Sequence, residues 1–338
     1  MKVGELRKIL AHHKKEDLIK IAVEFYKAVP KAKKEDHGLD EIAQNPNQKR
    51  ESKSSLKTTS LRDLKAEIEI FIENVRYQHY IFPNSYVRKA ERSKWRFKVK
   101  NWYKELTNPE LIKKSPTLCE ELLSGLYDVM CESFVYEYFT AYDAFASIGV
   151  QQTTFFTALM LQRKSLLAPD QFVARTILTI LDNELGRETL CTDFMLIFIG
   201  ELRIPDMKNL AIDVARELHT TFAKTPKKII KHENVLFSWA PDDYAEEARH
   251  NNLVELILLL YFSLFEYGNG IAFFQEHYEE HDPEVKLYML VIHLLDHDEP
   301  QKILEVIATA KQQDVEPREA LLDLETIIEE TGELPIFG

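Results

Sequence analysis

The stretch Thr117 to Lys164 constrains this chain more than any other. It reads TLCEELLSGLYDVMCESFVYEYFTAYDAFASIGVQQTTFFTALMLQRK, and its apolar and aromatic residues recur at three- and four-residue steps. That is the period of a helix with a buried face. Leu118, Leu122 and Leu126 mark one stripe, with Val129 and Met130 on the next turn. Thr117 stands three residues before Glu120, the spacing of a capping box, and Pro116 is read as a stop for whatever precedes it. So much large apolar surface on consecutive helices has to be covered by other helices, and the rest of the chain must supply them.

Composition points the same way. Ten glycines in 338 residues are few, whereas sheet-rich chains need glycine at their many turns. The length suits two or three domains or one extended helical array. Cys119, Cys131 and Cys191 are too few and too scattered for a disulfide framework or a cysteine-based zinc site. They are expected to be buried reduced thiols in a cytoplasmic protein. The N-terminal MKVGELRKIL lacks the long apolar core of a signal peptide. The most apolar run, Leu253 to Phe265, is interrupted by Glu255 and is shorter than the roughly 20 residues a membrane span needs. It reads as a buried core helix, so no membrane partner is expected.

Further helices follow from the same periodicity. Leu6, Ile9 and Leu10, then Leu18, Ile19, Ala22, Val23 and Tyr26, predict a helical hairpin over residues 4–29 that ends at Pro30. Residues 36–60 are rich in Ser, Lys, Asn and Gln and predict a linker or loop. A helix capped by Ser60 carries Leu61, Leu64, Ile68, Phe71, Ile72 and Val75 on one face and should run until Pro83 breaks it. Beyond residue 116, prolines and glycines separate helical patterns of roughly 12 to 25 residues. Asp206 is expected to cap one of these and Asp242 to open the helix that holds the Leu253 run, while Gly268-Asn269-Gly270 reads as a turn between helices. The fold class is therefore all-α, an antiparallel helical array with a helical-repeat-like spacing of helix pairs and a small N-terminal hairpin. The organisation read from it is a basic helical hairpin over 1–35, a polar linker over 36–60, a basic helical segment over 61–115 and an acidic multi-helix body over 116–338.

Two resemblances lie at the N-terminus. MKVGELRKIL followed by KKEDLIKIA resembles the SAP motif, a small helix-extension-helix module that often binds DNA, although only Ala11 to Lys15 separates the two halves and the glycine-containing loop of SAP helices is missing. The fuller run GELRKIL…KKEDLIKIAVEFYKAVPKAKKE is similar to the N-terminus of an uncharacterised bacterial family of helical proteins, a resemblance that implies no activity.

The net charge of −12 hides a strong asymmetry. Residues 1–104 hold 25 Lys and Arg against 14 Asp and Glu, and residues 105–338 hold 18 against 41. Either the basic part is attracted to the acidic body of the same molecule or it meets an anionic partner. The cations concentrate at Arg88, Lys89, Arg92, Lys94, Arg96, Lys98, Lys100 and Lys104, with Tyr86, Trp95, Phe97, Trp102 and Tyr103 interleaved. Phosphate-neutralising cations beside stacking aromatics are what nucleic-acid binders combine. The competing reading is a core helix in which Trp95, Val99, Trp102 and Leu106 share a buried stripe and the lysines point to water or to the acidic body.

The His277-Tyr-Glu-Glu280-His281 segment matches H-x-x-E-H, a zinc-peptidase pattern. It requires both histidines on one helical face, Glu280 activating a metal-bound water, and a distant third ligand. His293 and His297, again four residues apart, could join a divalent-metal site if the two helices face each other. Otherwise His293 is a core residue among Val291, Ile292, Leu294 and Leu295, and His297 a loop residue. There is no G-x-S-x-G motif and no phosphate-cradling glycine loop. The reading that results is a non-catalytic scaffold or adaptor without cofactors, which binds another macromolecule, a protein in the first place. Nucleic-acid binding, zinc-dependent hydrolysis and homo-oligomerisation are its alternatives.

Overall fold

The computed structural model describes residues 3–30, 61–222 and 242–335, and every element assigned among them is a helix. The chain divides into two units, Met1–Leu61 and Arg62–Gly338. The linker expected over 36–60 and its Ser60 cap lie outside the described residues.

The first unit contains the expected hairpin, α1 (Val3–Leu10) and α2 (Lys15–Ala28). Its connector is tied by the His12 and His13 N–H groups, which donate to the Ile9 and Leu10 carbonyls. Helices this short have little facing area and depend on outside packing for stability. Accordingly α2 has no buried residue, and Ile9, Ile19, Val23 and Phe25 are exposed.

The second unit is an all-α array. It runs α3 (Leu61–Arg76), a single turn at Lys89–Arg92, α4 (Trp95–Leu106), α5 (Pro109–Lys114), α6 (Pro116–Glu132), α7 (Ala144–Ile148), α8 (Gln152–Leu166) and α9 (Pro169–Asp182). It continues with α10 (Cys191–Glu201), α11 (Pro205–Phe222), α12 (Asp242–Phe262), α13 (Tyr267–His277), α14 (Pro283–Leu295), α15 (Pro300–Gln312) and α16 (Glu319–Thr331). Six of these helices begin on a proline, because the first helical position has no use for an N–H and accepts the fixed φ of the ring. Pro116 therefore opens α6 and does not stop its predecessor. By the same rule α11 starts at Pro205, with Asp206 in its first turn, where the expectation was an Asp206 cap. Gly268 and Gly270 lie inside the first turn of α13, not in a turn between helices. Gly149, at φ 67°, ends α7 in the left-handed conformation that a glycine C-cap supplies.

Helix α6 is the centre of the unit. Cys119, Leu122, Leu123, Leu126, Tyr127, Val129, Met130 and Cys131 are all buried, and only Thr117 and Glu121 are exposed along it, as befits a helix covered over most of its circumference. Against it lies α4, whose expected stripe Trp95, Val99, Trp102 and Leu106 is buried, while α3 buries Leu64, Ile68, Phe71 and Val75 and meets α6 at Ile72 and Arg76. Gly125 lets α3 approach: a side chain there would stand 3.0 Å from Ile72 Cδ1. Aromatic contacts seal the junction, with Trp95 stacked on Phe139 (3.9 Å between centroids) and Trp102 edge-on to Phe71 (5.2 Å). The Leu253 run is a core helix as far as Phe262, with Leu253, Val254 and Leu256 to Phe262 all buried, whereas Phe265 lies beyond the helix and is exposed.

The buried α6 also carries a polar stripe, Glu120, Ser124, Asp128 and Glu132, each four residues from the next. No capping box forms, because the Glu120 side chain turns inward. Arg163 of α8 donates Nε to Glu120 Oε1 (2.8 Å), Nη2 to Ser124 Oγ (2.8 Å) and Nη1 to Thr179 Oγ1 of α9 (2.6 Å). Arg175 of α9 approaches the same Glu120 oxygen at 3.4 Å. At the other end Arg76, the last residue of α3, donates to both oxygens of Glu132 (3.2 and 2.7 Å), which also accepts from the Tyr138 hydroxyl (3.1 Å). Between them, burial pushes the Asp128 carboxyl up to about 6, with Arg163 opposing the shift and Glu132 adding to it.

Removing one member of a buried ion pair strands the other in a low-dielectric interior, which costs about 3–5 kcal/mol, whereas replacing both by apolar residues is often close to neutral. Arg163→Met is therefore expected to lower the unfolding free energy by about that amount. The double variant Glu120→Leu/Arg163→Met should be more stable than either single variant. Urea unfolding of the three tests this, and a double variant as unstable as the sum of the two singles would contradict it.

Candidate functional site

The basic cluster sits on the outer side of α4 and on the segment leading into it. Trp95 and Trp102 are buried structural residues, as the core-helix reading holds. The cations do not follow them inward. Arg88, Lys89, Lys94, Arg96, Lys98 and Lys104 are exposed, and Arg92 and Lys100 are half-buried. Lys94 bridges to Glu91 at 2.7 Å, and among the described residues that is the cluster's only ion pair. The hydrogen bond from Lys94, with Lys98 and Arg88 close by, holds the Glu91 carboxyl below its usual range. Arg92 Nε donates to the Val87 carbonyl (3.2 Å) and Arg96 Nε to the Ser93 carbonyl (3.0 Å). The acidic residues of the unit spend their ion pairs elsewhere, on Arg76, Arg163 and Arg175 among others.

Beside these cations stands a set of rings that the reading of the sequence did not assemble. Helix α3 ends at Arg76, well before Pro83, because Gln78 adopts φ 57° and turns the chain. The Gln78 side chain is buried and donates Nε2 to the Glu137 carbonyl (3.2 Å). The turn brings Tyr77, His79 and Tyr86 together. His79 stacks on Tyr86 with centroids 4.4 Å apart and planes 8° from parallel, and on Tyr77 at 5.6 Å and 19°. Tyr86 is 75% exposed and Tyr77 47%. Phe97 on α4 is 64% exposed, with the Arg96 guanidinium 6.0 Å from its ring centroid.

The segment that carries the rings is tied down. Asn84 donates Nδ2 to the His79 and Phe82 carbonyls (2.7 and 2.6 Å), and its Oδ1 accepts from the Tyr86 and Val87 N–H groups (3.0 and 2.7 Å). Asn74 donates Nδ2 to the Ile70 carbonyl, which leaves its Oδ1, 2.8 Å away, to accept from His79 Nδ1–H. Burial lowers the His79 imidazole below its ordinary value, against the pull of Glu73, which favours the neutral form of the middle ring. Such an arrangement offers flat ring faces next to guanidinium and ammonium groups of which, among the described residues, only Lys94 is ion-paired.

The histidine-rich segment is built differently from a metal centre. α13 ends at His277, and Tyr278 is already extended. The chain from there serves the next helix: Asn251 of α12 pairs with both backbone groups of Glu279 (2.8 and 2.9 Å), and Asp282 caps α14 by accepting from the Glu284 N–H (2.9 Å). His277 and His281 therefore do not share a helical face, and Glu280 and His281 are exposed. His293 is buried, with Nε2 at 3.5 Å from Glu255, the residue that interrupts the Leu253 run. His297 donates Nδ1–H to the His293 carbonyl (2.9 Å) and lies edge-on to Phe262. The two histidine pairs thus have separate partners. Among the described residues no group of three or more His, Cys, Asp or Glu side chains is arranged to hold a metal ion.

His277 instead joins His219 of α11 and His250 of α12: the His219 ring lies 4.7 Å from that of His277 and 4.9 Å from that of His250. His219 Nε2 is buried without a hydrogen-bond partner among the described residues.

The fold and this surface define an all-α helical array with a basic–aromatic face. Comparison with protein-family models, with curated proteins and with solved structures finds no match for the chain.

The histidine trio carries a pH signature. Burial, reinforced by His250, His277 and Arg216 and opposed by Glu279, lowers His219 from 6.5 to about 4. Protonation is thus harder in the folded state than in the unfolded one, so the stabilising contribution is complete above about 6.5 and is lost as pH falls from there towards 4. His219→Gln should flatten this part of the profile. Melting temperatures of both proteins between neutral and mildly acidic pH measure it, and parallel curves would contradict the assignment.

Proposed function

We propose that this chain is a non-catalytic helical scaffold that binds a second, anionic macromolecule through the basic–aromatic face of residues 77–104. One observation carries the reading. Residues 84–106 hold eight Lys and Arg against two Glu, and among the described residues only Glu91 is ion-paired to them, in a chain of net charge −12. Had the cluster existed to bind the chain's own acidic body, its cations would be engaged by carboxylates from α6 onwards. Six of the eight are exposed instead, where they create a local positive potential that draws a polyanion.

A polyanion column tests this. The whole protein should be retained on immobilised heparin at low salt, despite its negative net charge, and released as salt screens the contacts. Arg88→Glu/Lys94→Glu/Lys98→Glu should abolish retention without lowering the melting temperature. A wild-type protein that flows through, or a triple variant that unfolds more easily, would contradict the reading.

A further inference from the structure

We infer that the anionic partner is a single-stranded nucleic acid, whose bases stack on the Tyr77–His79–Tyr86 ladder while its phosphates lie against Arg88, Arg92, Lys94 and Lys98. The inference rests on the reading of this face as an anion-binding surface and adds the chemistry that selects among polyanions.

Charge alone suits any polyanion. The rings do not. An acidic protein or a sulfated polysaccharide carries charge but does not pair a flat aromatic face with a charge on every unit, as a nucleic acid does. A nucleic-acid duplex has such faces but keeps them stacked inside. A single strand offers both at once, open bases and a charged backbone, and base–aromatic stacking is tolerant of sequence because every base has a π-face. The ladder is suited to this in three ways. Its end ring Tyr86 is three-quarters exposed (75%) although it is already stacked on His79 on one side, so the opposite face is open to a base. Its position is fixed before binding, by the four Asn84 hydrogen bonds and the His79–Asn74 bond, which spares the ordering entropy that a flexible loop would lose. And a cation is held next to it: the Arg92 guanidinium is anchored on the carbonyl of Val87, the residue that follows Tyr86, within reach of the phosphate of a base seated on that ring.

Fluorescence anisotropy with the full chain separates the outcomes. The probes are a labelled oligouridine, a duplex of matched length, and heparin as a competitor without bases, each at low and near-physiological salt. The single strand is expected to bind more tightly than the duplex. Tyr86→Ala should weaken single-strand binding roughly tenfold or more, far more than it weakens heparin binding, and Tyr86→Phe should restore it. Tyr86 is exposed, and an unchanged melting temperature checks that Tyr86→Ala still folds. If single strand, duplex and heparin bind alike and Tyr86→Ala changes none of them, the stacking inference is overturned while the reading of an anion-binding scaffold stands. If heparin is retained but neither nucleic acid binds, the inference is likewise overturned, in favour of an acidic protein or polysaccharide. If no polyanion binds even at low salt, both fall.

Discussion

The ion pairs along α6 are the constraint that orders the helices packed around it. So largely buried a helix cannot leave the buried carboxylate of Glu120, or the half-buried one of Glu132, without partners, because a charge stranded away from water is costly. Their partners come from three other helices: Arg76 from α3, Arg163 from α8 and Arg175 from α9. Apolar packing alone tolerates sliding and rotation of helices. Guanidinium groups directed at particular carboxylate oxygens do not, so the seam sets the register of these elements around the central one.

That register has a consequence at the surface. Arg76 is the last residue of α3, and its two bonds to Glu132 fix the point at which the chain leaves the core. The next residue is Tyr77, the first ring of the ladder. Gln78 then turns the backbone and plants its own side chain inside, on the Glu137 carbonyl, so that His79 emerges on the outside and Tyr80 returns to the core against Phe71. The ladder is therefore anchored at its root by the same charge network that orders the interior. A surface made of three aromatic rings would otherwise collapse onto the nearest apolar patch. Here the pairing of buried and exposed residues, alternately inward and outward from Arg76 to Tyr80, keeps it presented.

The helices were legible because periodicity is a local property. Trp95, Val99, Trp102 and Leu106, or Leu64, Ile68, Phe71 and Val75, sort themselves onto one face from spacing alone. What was misread or missed depends on residues far apart in the chain. Thr117 and Glu120 have capping-box spacing, but Glu120 is drawn inward by Arg163, 43 positions away. The polar step of four through Glu120, Ser124, Asp128 and Glu132 was visible in the sequence as a stripe, yet its partners were not. The H-x-x-E-H pattern has the right letters, but Asp282-Pro283 is a helix start, and the chain needs the residues after His277 to reach it. The trio of His219, His250 and His277 comes from three helices. Tyr77 and His79 precede the basic cluster, and only the left-handed turn at Gln78 folds them back to Tyr86.

The most direct test of the account is where a bound strand touches the protein. An oligouridine carrying 4-thiouridine can be photo-crosslinked to the full chain, and the modified peptides identified by mass spectrometry. The account predicts crosslinks concentrated between residues 77 and 98, with Tyr86 prominent among them. Crosslinks confined to the N-terminal hairpin, or to the helices beyond α6, would mean that the basic–aromatic face is not where a nucleic acid binds.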